Sequence, residues 1–322
     1  MSRLSAKNAI QFYHKILLIR KCEDRICSEY ATDEIKTPVH LHIGAEAIAV
    51  GVIAALGSSP QVFGTYRNHA HYLMLTGDTD TFFAELYGKV TGCAHGKAGS
   101  MHLTAPERGL LLTSAVVATT IPVAVGAAFA NVYQNKKNVV ASFFGDGAME
   151  EGAFWESINF ASLHKLPVLF VCEDNNLAIH TGKKERQGFR SAKDAVAGFE
   201  CHYGEAPGHR VDLIHEAATG LLAKMAKDGK PGFLKCEYHR FRSHVGVRLD
   251  YAAGYRPKPS AAELEAVDPV LAAKDWVLGL GAKEAALEKI AADIDKEIDA
   301  SVAKARTDAF PGIDDLYTGV LS

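Results

Sequence analysis

Basic residues are in no excess here. The 322-residue chain carries 35 Lys and Arg against 38 Asp and Glu, a formal charge of −3. No surplus is available to neutralise a phosphate backbone, which excludes nucleic acid as a partner. Cys22, Cys27, Cys93, Cys172, Cys201 and Cys236 form no CxxC pair and no zinc-ligand spacing. Free thiols in a reducing cytoplasm fit that scatter. The start, MSRLSAKNAIQFYHK, has no apolar signal-peptide core. There is no GxxxxGKS or GxxxxGKT loop for phosphoryl transfer, no internal repeat and no low-complexity run. The one long uncharged run, 109–135, is richer in Thr, Ala and Gly than a lipid-facing span. It reads as a buried loop followed by a core helix from about Pro122, whose small side chains let another backbone approach. No membrane span is expected.

What is present is apolar content of 48%, enough for a large core. Residues 7–30 and 45–56 have helical apolar spacing, and the latter, AEAIAVGVIAAL, reads as fully buried. QVFGTY (61–66) reads as a strand and TDTFFAELYG (79–88) as an amphipathic helix, with a Gly-rich loop after it at 88–102. NVVASFF (138–144) and LPVLFVCED (166–174) are continuous apolar strands flanking a helix at 151–165. Such a unit implies parallel strands covered on both faces. A helix at about 212–228, a strand at 233–241 and charged Ala-rich helices over 260–306 complete the chain. The class is α/β, a parallel sheet with helices on both faces. With no linker in view, residues 1–322 form one domain with a helical C-terminal extension at about 260–322.

Ligands of parallel sheets bind in the crevice at the C-terminal strand ends. Asp146 follows one strand, in GDG (145–147), and Asn175 follows the next. A carboxylate and an amide oxygen, beside a turn whose Gly147 and Ala148 amides suit an anion, describe a magnesium–diphosphate site. Either motif alone is an ordinary turn or loop; their combination across one strand–helix–strand unit is specific. A dinucleotide site is disfavoured, because GDGAME lacks the third glycine of that fingerprint.

GDGAMEEGAFWESINFASLHKLPVLFVCEDNN resembles the thiamine diphosphate motif. HLHIGAEAIAVG (40–51), GTYRNHAHYL (64–73), GCAHGKAGSMHL (92–103) and FRSHVGVRLDYAAGYR (241–256) resemble, in order, the alpha subunit of the heterotetrameric 2-oxo acid dehydrogenases. The resemblance runs from about residue 8 to FPGIDDLY and implies the thiamine diphosphate-binding fold, with thiamine diphosphate and Mg2+ as cofactors. It assigns Asp146, Asn175 and the carbonyl of Leu177 to magnesium, and Tyr66 and Arg67 to the diphosphate. Ala115 and Val117 would meet the aminopyrimidine through their backbone, and Ile179 would wedge the cofactor into its bent form. His40 and His244 would stand near the diphosphate and the reacting carbon as catalytic histidines. The pattern is altered in two places: Asp174-Asn175 occupies the usual Asn pair, and Val245-Gly246 follows His244.

The resemblance further implies decarboxylation of a pyruvate-like 2-oxo acid, or cleavage of acetoin, with the acyl group passed to a lipoyl-bearing acyltransferase. The activating glutamate would come from a beta subunit in an α2β2 heterotetramer. A non-catalytic assembly subunit of the same fold is the bland alternative, against which Arg67, Asp146, Asn175 and His244 are all in place. His69, His71 and His102 fall near the inferred site and suit structural roles as well as catalytic ones.

Overall fold

The computed structural model describes residues 6–318; the first five and last four residues of the expected 1–322 span lie outside them. Helices α1 (Ala6–Glu29) and α2 (Glu46–Ala55) precede strand β1 (Gln61–Thr65). Helices α3 (His69–Thr76) and α4 (Thr79–Leu86) lead through the Gly-rich loop to β2 (Leu110–Ser114). Then come α5 (Thr120–Tyr133), β3 (Val140–Gly145), α6 (Gly152–Leu163) and β4 (Val168–Asp174). A small hairpin, β5 (Leu177–Ala178) and β6 (Thr181–Gly182), and the short α7 (Ala192–Val196) follow. Next are β7 (His202–Pro207), α8 (Val211–Asp228) and β8 (Gly232–Glu237). The chain ends in α9 (Ala261–Ala266), α10 (Pro269–Gly279) and α11 (Glu284–Thr307).

Six strands form one parallel sheet in the order β2-β1-β3-β4-β8-β7. The chain runs outward from β1 to one edge and from β3 to the other, so the switch point falls between them, where such sheets take ligands. Both central strands are apolar along their length because each face is covered. Ala141, Phe143, Leu169 and Val171 pack with α1, α2 and α8. Val140, Phe144, Val168, Phe170 and Cys172 pack with α5 and α6 on the other side. Alternate residues thus serve opposite cores, as the two-residue period of a strand requires. The C-terminal helices fold back: α10 and α11 pack on α1, and α11 also on α4. Lys21 and Arg25 of α1 pair with Asp295 and Asp299 of α11.

Two expectations need correction. The run before Pro122 is not only a loop, since Leu110–Ser114 pairs with β1 as an edge strand. Its Thr and Ser residues masked a strand only five residues long. The helix starts at Thr120 and is buried on one side alone, leaving Val123, Phe129, Val132 and Tyr133 exposed. Composition reports apolarity, whereas which chain covers it is not written there. The strand expected to reach 241 leaves the sheet at Glu237, which frees 238–244 to enter the cleft.

The Gly-rich loop has an internal explanation. Glu85 of α4 accepts four backbone N–H bonds from it: Ala94 (2.8 Å), Gly96 (3.0 Å), Ala98 (2.7 Å) and Gly99 (3.0 Å). At Gly92 a Cβ would lie 2.6 Å from the Glu85 backbone, so only glycine lets the loop wrap so closely. Charge-assisted hydrogen bonds are worth ~1.5–3 kcal/mol each. Glu85→Ala should therefore cost at least ~3 kcal/mol, read as a fall in the urea midpoint, with Glu85→Gln intermediate.

Candidate functional site

The C-terminal ends of β1, β3, β4 and β8 bring the expected residues to one edge of the sheet. Tyr66 and Arg67 follow β1, Asp146 follows β3, Asn175 follows β4, and His244 lies beyond β8. His40, before α2, completes a ring cluster: its centroid is 4.5 Å from Tyr66 and 5.2 Å from His244. Arg67 is buried, with its guanidinium donating to the carbonyl of Leu41 and, at 3.2 Å, to that of His244. Burial, then the Arg67 charge, pushes His40 down to about 3. Burial with Arg67 and Arg240 pushes His244 down to about 4. Both imidazoles are neutral at pH 7 and can take or give a proton without carrying a resting charge.

Asp146 is buried at the rim. It is pushed up to about 6 by burial and by Asp174, against the pull of Arg186. Its carboxylate accepts the Asn175 N–H at 3.3 Å and pairs with Arg186, while Lys183 pairs with Asp174. Two buried carboxylates here call for positive charge. Asn175 offers its Oδ1, which accepts the Leu177 N–H at 3.0 Å, while its Nδ2 donates to the Tyr238 hydroxyl at 2.9 Å. Carboxylate, amide and carbonyl oxygens are the hard donors that magnesium takes, so these residues fit that ion. Gly147 sits close against the hairpin, since a Cβ there would come 3.0 Å from the Ala178 Cβ, a tight contact. The segment Asp146–Glu150 is a 3-10 turn, and the α-helix begins only at Gly152, so Gly147 and Ala148 do not head α6.

Ala115 and Val117 lie in the loop after β2, whose last residue pairs with Thr65 beside Tyr66. Val117 is 47% exposed. Ile179 is 55% exposed and has φ +55. It opens the two-residue turn of the β5–β6 hairpin, where glycine or asparagine is usual. A β-branched residue in the left-handed region is strained and persists only where its surroundings impose it. The imposing group is Arg240, almost fully buried, which donates to the Ile179 carbonyl at 3.0 Å and to the Tyr255 hydroxyl at 2.6 Å. Asp250 pairs with both Arg240 and Arg256, so the clamp keeps one net positive charge.

Tyr238, Arg240, Arg186 and Lys183 were missed at the level of sequence. No spacing rule singles out an arginine after a strand that ends earlier than its apolar run suggests. A cavity of about 1020 Å³ opens beside Asn175, Leu177, Tyr238 and Arg240, and a smaller one of about 240 Å³ reaches Asp146. Neither is walled by Arg67, His40 or His244. His69 and His102 are held structurally, by Glu23 and Ser100 and by the Thr113 carbonyl respectively.

Buried neutral histidines have a consequence for stability. Unfolded histidines titrate near 6.5, but His40 and His71 stay neutral to about 3 and His244 to about 4. Between those limits the unfolded chain binds more protons, so stability falls as pH falls. Asp146, raised to about 6, acts in the opposite sense below that pH, and the three histidines outweigh it. The melting temperature without added cofactor should be lower at pH 5 than at pH 7.

The sequence pattern of the dehydrogenase E1 component family matches residues 14–314. The chain is 33% identical to the pyruvate dehydrogenase E1 component subunit alpha of Zymomonas mobilis, over 97% of this chain and 88% of that one. It is also 33% identical to the alpha subunit of acetoin:2,6-dichlorophenolindophenol oxidoreductase from Bacillus subtilis, over 94% and 89%. Against a chloroplastic pyruvate dehydrogenase E1 alpha subunit of Arabidopsis thaliana the figures are 32%, 99% and 76%. With that match over most of its length and its six-stranded parallel sheet, the chain belongs to the dehydrogenase E1 component family.

Proposed function

We propose that the chain is the alpha subunit of a heteromeric, thiamine diphosphate-dependent dehydrogenase that decarboxylates a pyruvate-like 2-oxo acid and hands the acyl group to a lipoyl acceptor. The observation that carries this reading is the convergence of Arg67, Asp146, Asn175 and His244 on one sheet edge. Acetoin cleavage is the second reading, favoured by relatives of both kinds at equal identity.

In this reading Asp146, Asn175 and the Leu177 carbonyl would hold Mg2+, beside the pairs that Arg186 and Lys183 make with Asp146 and Asp174. Arg67, with Tyr66, faces the diphosphate, and the Arg240 clamp adds positive charge beside it. The Gly147 and Ala148 amides lie at the same rim. Ala115 and Val117 present backbone to the aminopyrimidine, and Ile179 keeps the cofactor bent. When bound, thiamine diphosphate supplies the nucleophilic carbon and the electron sink that decarboxylation needs. The neutral His40 and His244 hold or move a proton next to it.

A beta subunit supplies the activating glutamate, in an α2β2 assembly working with a lipoyl-bearing acyltransferase. The exposed Val123, Phe129, Val132 and Tyr133 of α5, beside Phe160 and Leu163 of α6, support a partner surface. Six free cysteines and the absence, among the described residues, of a helix long and apolar enough to cross a membrane are compatible with a cytoplasmic site of action. A single domain, with α10 and α11 folded back on α1, completes the proposal. The test is co-expression with the product of the adjacent gene, followed by dye reduction with pyruvate, branched 2-oxo acids, 2-oxobutyrate and acetoin. Turnover of one of these only when both chains are present is the expected result. Full activity of this chain alone, or none with any substrate, would contradict the reading.

A further inference from the structure

HLHIGAEAIAVG and GTYRNHAHYL supply more histidines than the cofactor cleft uses. Beneath the cleft, His42, His69 and His71 have no exposed surface. The His42 Nδ1 lies 2.8 Å from the Arg67 carbonyl, which can only accept, so Nδ1 carries a proton. On the other side Nε2 lies 3.0 Å from Oε1 of Glu173, itself buried and one residue before Asp174-Asn175. Among the described residues neither of these two atoms has another hydrogen-bond partner, so the contact is the nearest polar one each has on that side. The backbone N–H of His42 is pinned as well, donating to Glu23 at 2.6 Å.

The sheet order gives this bridge its importance. β1 and β4 are not neighbours, because β3 runs between them. Strands two apart are separated by roughly 10 Å, and the β1–β3 ladder through which they are linked stops at Phe63, short of Arg67. We propose that His42 is a positioning residue for the cofactor cleft: its buried ring ties the Arg67 backbone, just past β1, to Glu173 in β4. It thereby fixes the distance between the diphosphate arginine and the metal-ligand loop. The inference rests on the function proposed above.

The test uses isosteres of the two ring nitrogens in the assembled complex. His42→Asn keeps a donor at the Nδ1 position, His42→Gln one at the Nε2 position, and His42→Leu neither. Thiamine diphosphate affinity is measured by calorimetry with saturating Mg2+, at a temperature where circular dichroism shows each variant folded. His42→Leu should weaken binding at least tenfold, and Asn and Gln should each recover part of the loss. KM for the oxo substrate should stay unchanged. A folded Leu variant with wild-type affinity would overturn the proposal. So would Asn and Gln variants that bind no better than Leu; if Leu does not fold, their affinities relative to wild type decide, and equality with wild type overturns it. Stoichiometric zinc in the wild-type protein, lost in His71→Leu, would also overturn it, by making His42, His71 and Glu173 a metal site. Absence of cofactor binding by the wild type would remove the cleft itself, whereas wild-type binding with no loss in His42→Leu removes only this residue's role.

Discussion

Asp146→Ala should weaken magnesium-dependent thiamine diphosphate binding by more than about 100-fold, or ~2.7 kcal/mol. The reason lies in charge. A divalent ion between two phosphates needs an anionic protein ligand, and among the proposed ligands only Asp146 carries one, since Asn175 and Leu177 offer neutral oxygens. Folding should suffer little. Asp146 already shares its site with Asp174 and is held up to about 6, so its removal relieves a repulsion while it frees Arg186. Asp146→Asn separates geometry from charge, because it keeps an oxygen donor and loses the anion; its affinity should fall between the other two. Calorimetric titration at fixed Mg2+ reads the effect. Wild-type affinity in the alanine variant would remove Asp146 from the metal site.

Ile179→Gly should move stability and activity in opposite directions. A β-branched residue at φ +55 is strained by ~1–2 kcal/mol, which glycine releases and then partly gives back in chain entropy. The melting temperature should hold or rise slightly. Activity should fall at least tenfold, because the exposed side chain proposed to bend the cofactor is gone and misplacement of reacting atoms by about an ångström can cost 100-fold. Arg240 would still hold the turn through the backbone carbonyl, so the loss would belong to the side chain. A variant as active as the wild type would show that the strained turn serves folding alone.

Much of this was legible in the amino-acid order, for reasons that differ by residue. The strands carrying Asp146 and Asn175 announce themselves because a doubly covered strand must be apolar throughout, as Val140–Gly145 and Val168–Asp174 nearly are. GDG is legible because it follows an apolar strand, and Gly147 packs closely against Ala178. Other features are invisible at that level. The edge strands Leu110–Ser114 and His202–Pro207 are only partly buried and lack the pattern of a central strand. Arg240, Arg186 and Lys183 matter through partners far away in sequence, such as Ile179, Asp146 and Asp250. The Gly-rich loop was legible as a loop, but not that its amides close on Glu85 of the same chain. The helix after Pro122 was legible as apolar, but the chain leaves half of that surface open for a partner.

The most direct measurement places the metal. Crystals of the two-chain complex grown with thiamine diphosphate and Mn2+ in place of Mg2+ give an anomalous signal that locates the ion without reference to the protein. A peak between the side chains of Asp146 and Asn175, beside the Leu177 carbonyl, is what the charge and donor set demand. A manganese peak elsewhere, with density for the coenzyme away from the ends of β1, β3 and β4, would contradict the assignment of this edge as the cofactor cleft.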